Sequence, residues 1–208
     1  KRKTKSTRGR ITLAYLLNHH SMVKGEMTVA NLPDGRIWAG SAAAAEWHDR
    51  DWLNLHIRAD EDVKVSSLTN DYTILLLAGP KSRDVLSAVS RGDWSAEGFP
   101  WLSVREAFIG IAPAVVMSVS FSGELAYEIH VPNAQLYAAY RELRAAGTAH
   151  GLTLFGLRAV ESMRLEKGYL HWKSDLLTEF DPFETGLGRF VDLNKQEFVG
   201  KEALVARQ

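Results

Sequence analysis

Apolar positions fall into runs whose spacing separates strands from helices along most of the chain. Ile11 to Leu17 is too brief for period alone to decide between strand and short helix, and it is core in either form. Glu26 to Asn31 and Arg36 to Ala39 flank Pro33-Asp34-Gly35, whose turn chemistry predicts a hairpin. Ser41 is placed to cap a helix through Ala42 to Ala45 and on past Trp47, Leu53 and Ile57. Val63 to Ser66 reads as a further strand, so the first third is β-β-α-β. Asp71 to Ala78 is a strongly apolar strand, and Gly79-Pro80 opens a helix with Val85, Leu86 and Val89 at helical spacing. Gly92 to Pro100 is a turn-rich connector, anchored to the core by Trp94 and Trp101.

Phe108 to Ile111, Ala114 to Phe121 and Tyr127 to Val131 read as three strands of an antiparallel meander, separated by Pro113 and by Ser122-Gly123. A helix follows from Pro132-Asn133, capped by Asn133, striped by Leu136, Tyr140 and Leu143, and ended at Gly147. Another runs from Leu157 to Lys167, with Val160, Met163 and Leu165 on or beside its apolar face, and Gly168 stops it. Beyond Pro182 the tail is irregular, with a short strand at Arg189 to Asp192 and a helix from Gly200-Lys201-Glu202. Antiparallel strands mixed with helices predict an α+β fold of antiparallel sheets with packed helices.

Composition narrows the class. With 46% apolar and 24% charged residues in 208, the chain can bury an ordinary globular core. Twenty-five basic residues balance twenty-five acidic ones, so whole-molecule charge gives no argument for nucleic acid or an anionic membrane as partner. The stretch Lys1 to Arg10 carries six Lys or Arg and no apolar segment; it reads as a solvated terminus, with a nucleic-acid arm as the alternative, and not as a secretory signal. No apolar run approaches the roughly 20 residues that cross a bilayer. The absence of cysteine excludes a disulfide framework and a thiolate nucleophile, and suits the cytoplasm, or the mitochondrial matrix in a eukaryote.

Several chemistries leave patterns that are missing. There is no Walker loop, no Gly-x-Ser-x-Gly elbow and no complete Gly-x-Gly-x-x-Gly; Gly186-Leu187-Gly188 follows no strand, so neither FAD nor NAD is expected on this chain. The seven His lack metal-ligand spacing on a helix, and no metal is expected. Carboxylates and aromatics remain. Glu26 opens a strand and suits a general base or a partner for a ligand amine; a solvated strand-end acid is the alternative. Strand alternation puts Glu124, Ala126 and Glu128 on one face and Tyr127 and Ile129 on the other, provided that the strand already includes Glu124. An inward acid must pair or bind a ligand, with Arg158, Arg164 and Lys167 as available partners. Tyr169 and Trp172 can stack on a flat heteroaromatic ring or serve as core.

Seven segments in order carry a resemblance: Lys24-Gly25-Glu26-Met27-Thr28-Val29, Leu77-Ala78-Gly79-Pro80, Leu102 to Gly110, Ser122-Gly123-Glu124-Leu125-Ala126-Tyr127-Glu128, Ser162 to Tyr169, Asp181-Pro182-Phe183-Glu184 and Phe198-Val199-Gly200-Lys201. Together the chain resembles the aminomethyltransferase family: the T-protein of the glycine cleavage system and, more closely, the folate-binding C-terminal halves of dimethylglycine and sarcosine dehydrogenases. The resemblance implies the aminomethyltransferase folate-binding fold, N-terminally truncated. Residues 1–70 would form a partial first subdomain, 71–150 a second, and 151–208 a C-terminal helix and tail completing the site.

The implied activity is tetrahydrofolate-dependent transfer of a one-carbon unit from an N-methylated amine of the dimethylglycine or sarcosine type. The implied partners are folate and a small-molecule donor, with FAD only on an upstream domain of the same full-length protein. Residue by residue, Glu128 matches the glutamate that pairs with the pterin edge, where one carboxylate accepts two parallel N–H bonds, and Glu124 matches a neighbouring acid. Glu26 falls where the family has an acid beside the reacting folate nitrogens, as general base. Trp172 matches an aromatic near the pterin or benzoyl portion, Tyr169 is the lesser stacking candidate beside it, and Arg164 matches the arginine of a Leu-Arg-Leu-Glu motif, with a structural role. Two positions depart: Ala159-Val160-Glu161 stands for Ala-Arg-Asp, and Arg189 replaces an aromatic. The alternatives are a flavin-independent folate-dependent demethylase of an S- or O-methyl compound and a non-catalytic binding module.

Overall fold

A computed structural model describes residues 7–208. Most of the basic stretch read as a solvated terminus or a nucleic-acid arm therefore lies outside the described residues. The run at Ile11 settles as a strand, Arg10–Leu17 (β1), because it pairs antiparallel with Val23–Asn31 (β2) from Arg10 opposite Asn31 to Tyr15 opposite Glu26. Ile37–Gly40 (β3) completes a three-stranded sheet in the order β1-β2-β3. The expected β2–β3 turn forms: Leu32 N donates to Arg36 O at 2.8 Å, Arg36 N donates to Asp34 Oδ1 at 2.9 Å, and Gly35 takes the positive φ of 96°.

After β3 the chain departs from the expected order. Ser41 caps nothing: a 3-10 turn at Ala43–Ala45 leads into Glu46–Leu55 (α1), which ends before Ile57 and has no side-chain cap. Val63 to Ser66 is irregular, with Val63 exposed, because no strand among the described residues offers it a ladder.

Tyr72–Ala78 (β4), Val104–Ile109 (β5), Ala112–Met117 (β6) and Ala126–Pro132 (β7) form a second antiparallel sheet in the order β4-β7-β6-β5. The meander is present with shifted bounds. The β5–β6 connection is the two-residue turn Gly110-Ile111, for which Gly110 adopts a φ of 59°, and Pro113 lies inside β6 opposite Phe108 rather than between strands. Proline is tolerated there because β7 pairs with β6 only from Val115 onward.

Ser82–Val89 (α2) and Leu136–Thr148 (α3) cover one face of this sheet, burying Leu77, Leu86, Ile109, Val116, Tyr127 and Ile129. Each such side chain contributes about 1.5–3 kcal/mol on burial. Trp94 is core as expected, donating from Nε1 to Ser90 O at 3.1 Å. Trp101 is not core: it is 67% exposed, and Phe99, edge-on to Trp94 at 5.0 Å, fills the buried position. Asn133 does not cap α3, since its side chain accepts from Thr73 Oγ1 and donates to Asn70 O. Nor does Gly147 end the helix: Leu152 packs so closely on it that a Cβ would meet Leu152 atoms at 2.5 Å.

Leu157–Glu166 (α4) ends at Gly168 as expected. That glycine takes a φ of 68°, and the amides of Gly168 and Tyr169 donate to the carbonyls of Leu165 and Arg164. The buried residues of α4 are Val160 and Arg164, whereas Leu165 is 59% exposed. The expected strand at Arg189 to Asp192 is a 3-10 turn, Leu187–Phe190, and Lys201–Val205 (α5) follows Gly200. Among the described residues no helix is long and apolar enough to cross a membrane.

Candidate active site

The two sheets meet face to face. Ile11 and Ala30, a cross-strand pair of the first sheet, pack with Leu32 against Val104, Val115 and Met117 of the second. Alternation then decides which other side chains share those inner faces. Along β1 and β2 they are Leu13, Tyr15, Thr28 and Glu26; along β7 they are His130 opposite Val115 and Glu128 opposite Met117. Glu26 and Glu128 thus lie on the facing surfaces of opposite sheets. Ile11 belongs to the inter-sheet cluster, while Leu17 belongs to a separate cluster around Trp172, Leu176, Leu187 and Leu204. Tyr15 and Glu26 occupy the half-buried stretch between these two clusters.

Burial raises the Glu26 carboxyl above the usual carboxylate range, and its cross-strand neighbour Tyr15 opposes that shift. The Tyr15 hydroxyl is raised in turn, first by burial and then by the Glu26 charge, while Arg189 acts in the opposite direction. Tyr15 meets Phe190 edge-on at 5.1 Å, and the Arg189 guanidinium lies 5.0 Å over the same ring. Glu26 has no lysine or arginine within ion-pair distance among the described residues. A desolvated carboxylate with a raised pKa and a hydroxyl neighbour is a stronger base than an ordinary surface carboxylate. Tyr15 could not be singled out from the sequence, because its place beside Glu26 depends on the β1–β2 register.

Glu128 is partly buried, its side chain 30% exposed, and its contact is with His130, whose Nε2 lies 3.3 Å from Oε2. Trp38 from the first sheet meets His130 at 5.7 Å and Tyr72 at 5.1 Å, edge-on in both cases. The sequence carries a signal for His130: two residues from Glu128 on a strand means the same face. Trp172 is buried, lies 5.8 Å from the His48 ring, and has an indole Nε1 with no hydrogen-bond partner. A buried donor left unpaired is costly unless a ligand or water accepts from it. Tyr169 is exposed and its carbonyl accepts from Arg164.

The remaining two positions are engaged elsewhere. Glu124 precedes β7, so the strand does not carry it onto the Glu128 face; it pairs with Lys167 at 3.3 Å on the surface. Arg164, 3% exposed, binds Glu161 through Nε and Nη2, and Asp175 Oδ2 and Tyr169 O through Nη1. Glu166, two residues on, is exposed and takes no part in this cluster. Two cavities, of about 480 and 320 Å³, are not lined by these carboxylates, one between β4, α3 and residues 150–155, the other beside Phe108 and Pro113. No group of three metal-ligating side chains is found among the described residues.

The GCVT N-terminal domain family model matches residues 1–195. The chain belongs to this family. It is 30% identical over 198 residues to mitochondrial dimethylglycine dehydrogenase of Mus musculus, an alignment covering 94% of this chain and 23% of the relative. It is 34% identical over 155 residues to the aminomethyltransferase of Chlorobaculum tepidum, covering 74% and 42%. A third relative, the mitochondrial pyruvate dehydrogenase phosphatase regulatory subunit of Mus musculus, is 30% identical, covering 96% and 23%. The crystal structure of the glycine cleavage system aminomethyltransferase T from Bartonella henselae superposes with a TM-score of 0.83 at 22% identity, over 96% of this chain and 53% of that one. The GCVT chain thus has the aminomethyltransferase fold, and it spans less than a quarter of the dehydrogenase and about half of the solved structure.

Proposed function

We propose that the inner faces of the two sheets bind tetrahydrofolate and support transfer to it of a one-carbon unit that originates on an N-methylated amine of the dimethylglycine or sarcosine type and arrives already oxidised, as the iminium left by two-electron oxidation on a flavin-bearing domain or as formaldehyde. One observation carries this reading: Glu26 and Glu128 stand on opposed surfaces, and neither is neutralised by a lysine or arginine among the described residues. The residues present fit a reduced pterin. Glu128 offers the two parallel acceptors that an aminopyrimidinone edge requires, and the unpartnered Trp172 Nε1 marks a buried donor awaiting an acceptor. The pterin when bound supplies the nucleophilic nitrogens that take up the carbon.

The chain's own residues do the rest. Glu128 orients the ring edge, with His130 beside it to hold the carboxylate in place. Glu26 takes the proton released as nitrogen attacks carbon, and its raised pKa brings it closer to the operating pH. Tyr15 positions the Glu26 carboxylate across the strand pair. Trp172 and Tyr169 form the aromatic side of the site. Glu124 and Arg164 stay outside it, because their charges already answer to Lys167 and to Glu161 and Asp175. The proposal includes a flavin-bearing domain in the same full-length protein, and the mitochondrial dehydrogenase relatives support a location in the matrix.

Calorimetry with tetrahydrofolate, followed by the rate of methylene-tetrahydrofolate formation from added formaldehyde relative to the uncatalysed rate, tests the proposal. Binding without turnover would favour a second reading, a non-catalytic folate-fold module, which the likeness to a phosphatase regulatory subunit supports. No binding up to millimolar tetrahydrofolate would remove the folate site altogether.

A further inference from the structure

The two edges of the second sheet are finished differently. At β5, Val104 N donates to Gly9 O at 3.0 Å, Ile11 N donates to Leu102 O at 2.9 Å, and the strand carries Arg105 and Glu106. β4, at the other end of the order β4-β7-β6-β5, has no such cover among the described residues. Its pairing with β7 is regular, from Tyr72 opposite Pro132 to Ala78 opposite Ala126. Asn133 N donates to Asp71 O at 2.9 Å and Gly79 N donates to Leu125 O at 2.8 Å, so the odd-numbered residues between them turn their backbone groups to β7. The even-numbered residues turn theirs outward. Tyr72 N donates to Leu68 O, whereas Ile74, Leu76 and Ala78 have no backbone partner on that side among the described residues.

Edge strands are commonly blunted by charge, proline or a bulge, and Tyr72–Ala78 contains none of these. Ile74 is 52% exposed, and the cavity of about 480 Å³ separates the strand from residues 150–155, which make no backbone hydrogen bond to it. The strand is flanked by opposite charges, Asp71 before it and Lys81 after it, both exposed. The three free residues are centred on Leu76, and so are these two charges. A two-fold axis at Leu76 therefore sets Leu76 against itself, Ile74 against the partner's Ala78 and Asp71 against the partner's Lys81. The contact Lys81 already makes, with Asp84 at 3.5 Å on the surface, is weak enough to be exchanged.

We infer that β4 is a self-recognition edge through which two copies of this chain pair antiparallel, joining their second sheets into one continuous sheet. The row of inner-face residues that runs Met117, Glu128, Leu76 then continues into the partner's Leu76, so the partner walls the candidate site on its β4 side. Nothing in this pairing requires folate to bind.

Sedimentation equilibrium on the full chain should show a reversible dimer. Asp71→Lys and Lys81→Asp, both at exposed positions, should each weaken dimerisation at least roughly tenfold, because like charges then face each other at both ends of the interface. An equimolar mixture of the two variants should recover wild-type association within about threefold, since the mixed dimer again sets opposite charges face to face. The chain has no cysteine, so Leu76→Cys places one thiol per copy on the axis, with Cα atoms about 5.5 Å apart and within disulfide reach. Mild oxidation should link Leu76→Cys and leave Ile74→Cys unlinked, because the axis holds the two copies of position 74 several residues apart. A chain that stays monomeric up to millimolar concentration would overturn the inference and leave the edge to a strand from another protein. A dimer indifferent to both charge reversals, reversals that fail to rescue each other on mixing, or cross-linking as fast at position 74 as at position 76 would overturn it as well.

Discussion

Arg164 and Glu128 are both partly or wholly buried charges, yet their surroundings are opposite. At the end of α4 the guanidinium is ringed by Glu161, Asp175 and a carbonyl, with each nitrogen answered by protein, and Asp175 further accepts from the His171 amide at 2.8 Å. These contacts pull the Asp175 carboxyl below the usual range, the His171 amide most of all. Between the sheets, Glu128 has a single 3.3 Å contact to His130, and Glu26 has a tyrosine across the strand pair and a pKa pushed up by burial. The difference separates a charge cluster that holds the chain together from carboxylates whose bonding capacity is left for something else. A protein retains a desolvated, uncompensated acid at a stability cost, and such groups concentrate at functional sites.

The comparison breaks most visibly at Arg164. Arg164→Leu strands two partly hydrated carboxylates and should destabilise the chain by about 2–3 kcal/mol, read as a lowered urea midpoint, whereas Glu128→Gln should leave that midpoint nearly unchanged. In binding the order reverses. Glu128→Gln should weaken tetrahydrofolate by at least tenfold, about 1.4 kcal/mol, in calorimetry, because the charge-assisted pair is lost. Similar stability losses in the two variants would erase the distinction.

Glu26 sharpens it by pH. Its carboxyl holds a proton more tightly in the folded chain than in the unfolded one. The stability this contributes is complete below the ordinary carboxylate range and is lost as pH rises through the raised value. Glu26→Gln lacks that loss, so the gap between variant and wild-type urea midpoints should widen in the variant's favour as pH rises above the ordinary carboxylate range. Turnover should fall while tetrahydrofolate affinity stays within about twofold, since a base acts in the transition state. A pH-independent gap would contradict the assigned burial. The smallest effect belongs to Glu124→Gln: its exposed pair with Lys167 is worth less than about 0.5 kcal/mol, and folate affinity should not change.

Legibility followed periodicity. Tyr127, Ile129 and Val131 are fully buried on the helix side while Glu128 and His130 face the other sheet, as alternation on a half-buried strand requires. The Pro33-Asp34-Gly35 turn and the Gly168 stop were equally readable, because each rests on local backbone chemistry. What escaped were long-range pairings. Val63 to Ser66 has strand composition but no partner, and α4 buries Arg164 because Asp175, eleven residues on, folds back to it. Glu124 missed the strand face because β7 starts two positions later, at Ala126. At the site, Glu26 and Glu128 could be nominated singly, but their opposition across two sheets, and the place of Tyr15 beside Glu26, depend on register and sheet packing.

The most direct test follows the carboxyl carbons themselves. The chain is labelled at glutamate side-chain carboxyls, resonances are assigned by single Glu→Gln substitutions, and ¹³C spectra are recorded with and without saturating tetrahydrofolate. The account predicts that the Glu128 and Glu26 resonances move together while those of Glu124 and Glu161 stay in place. Unmoved Glu128 and Glu26 signals in the presence of bound ligand would place the pterin elsewhere and contradict it.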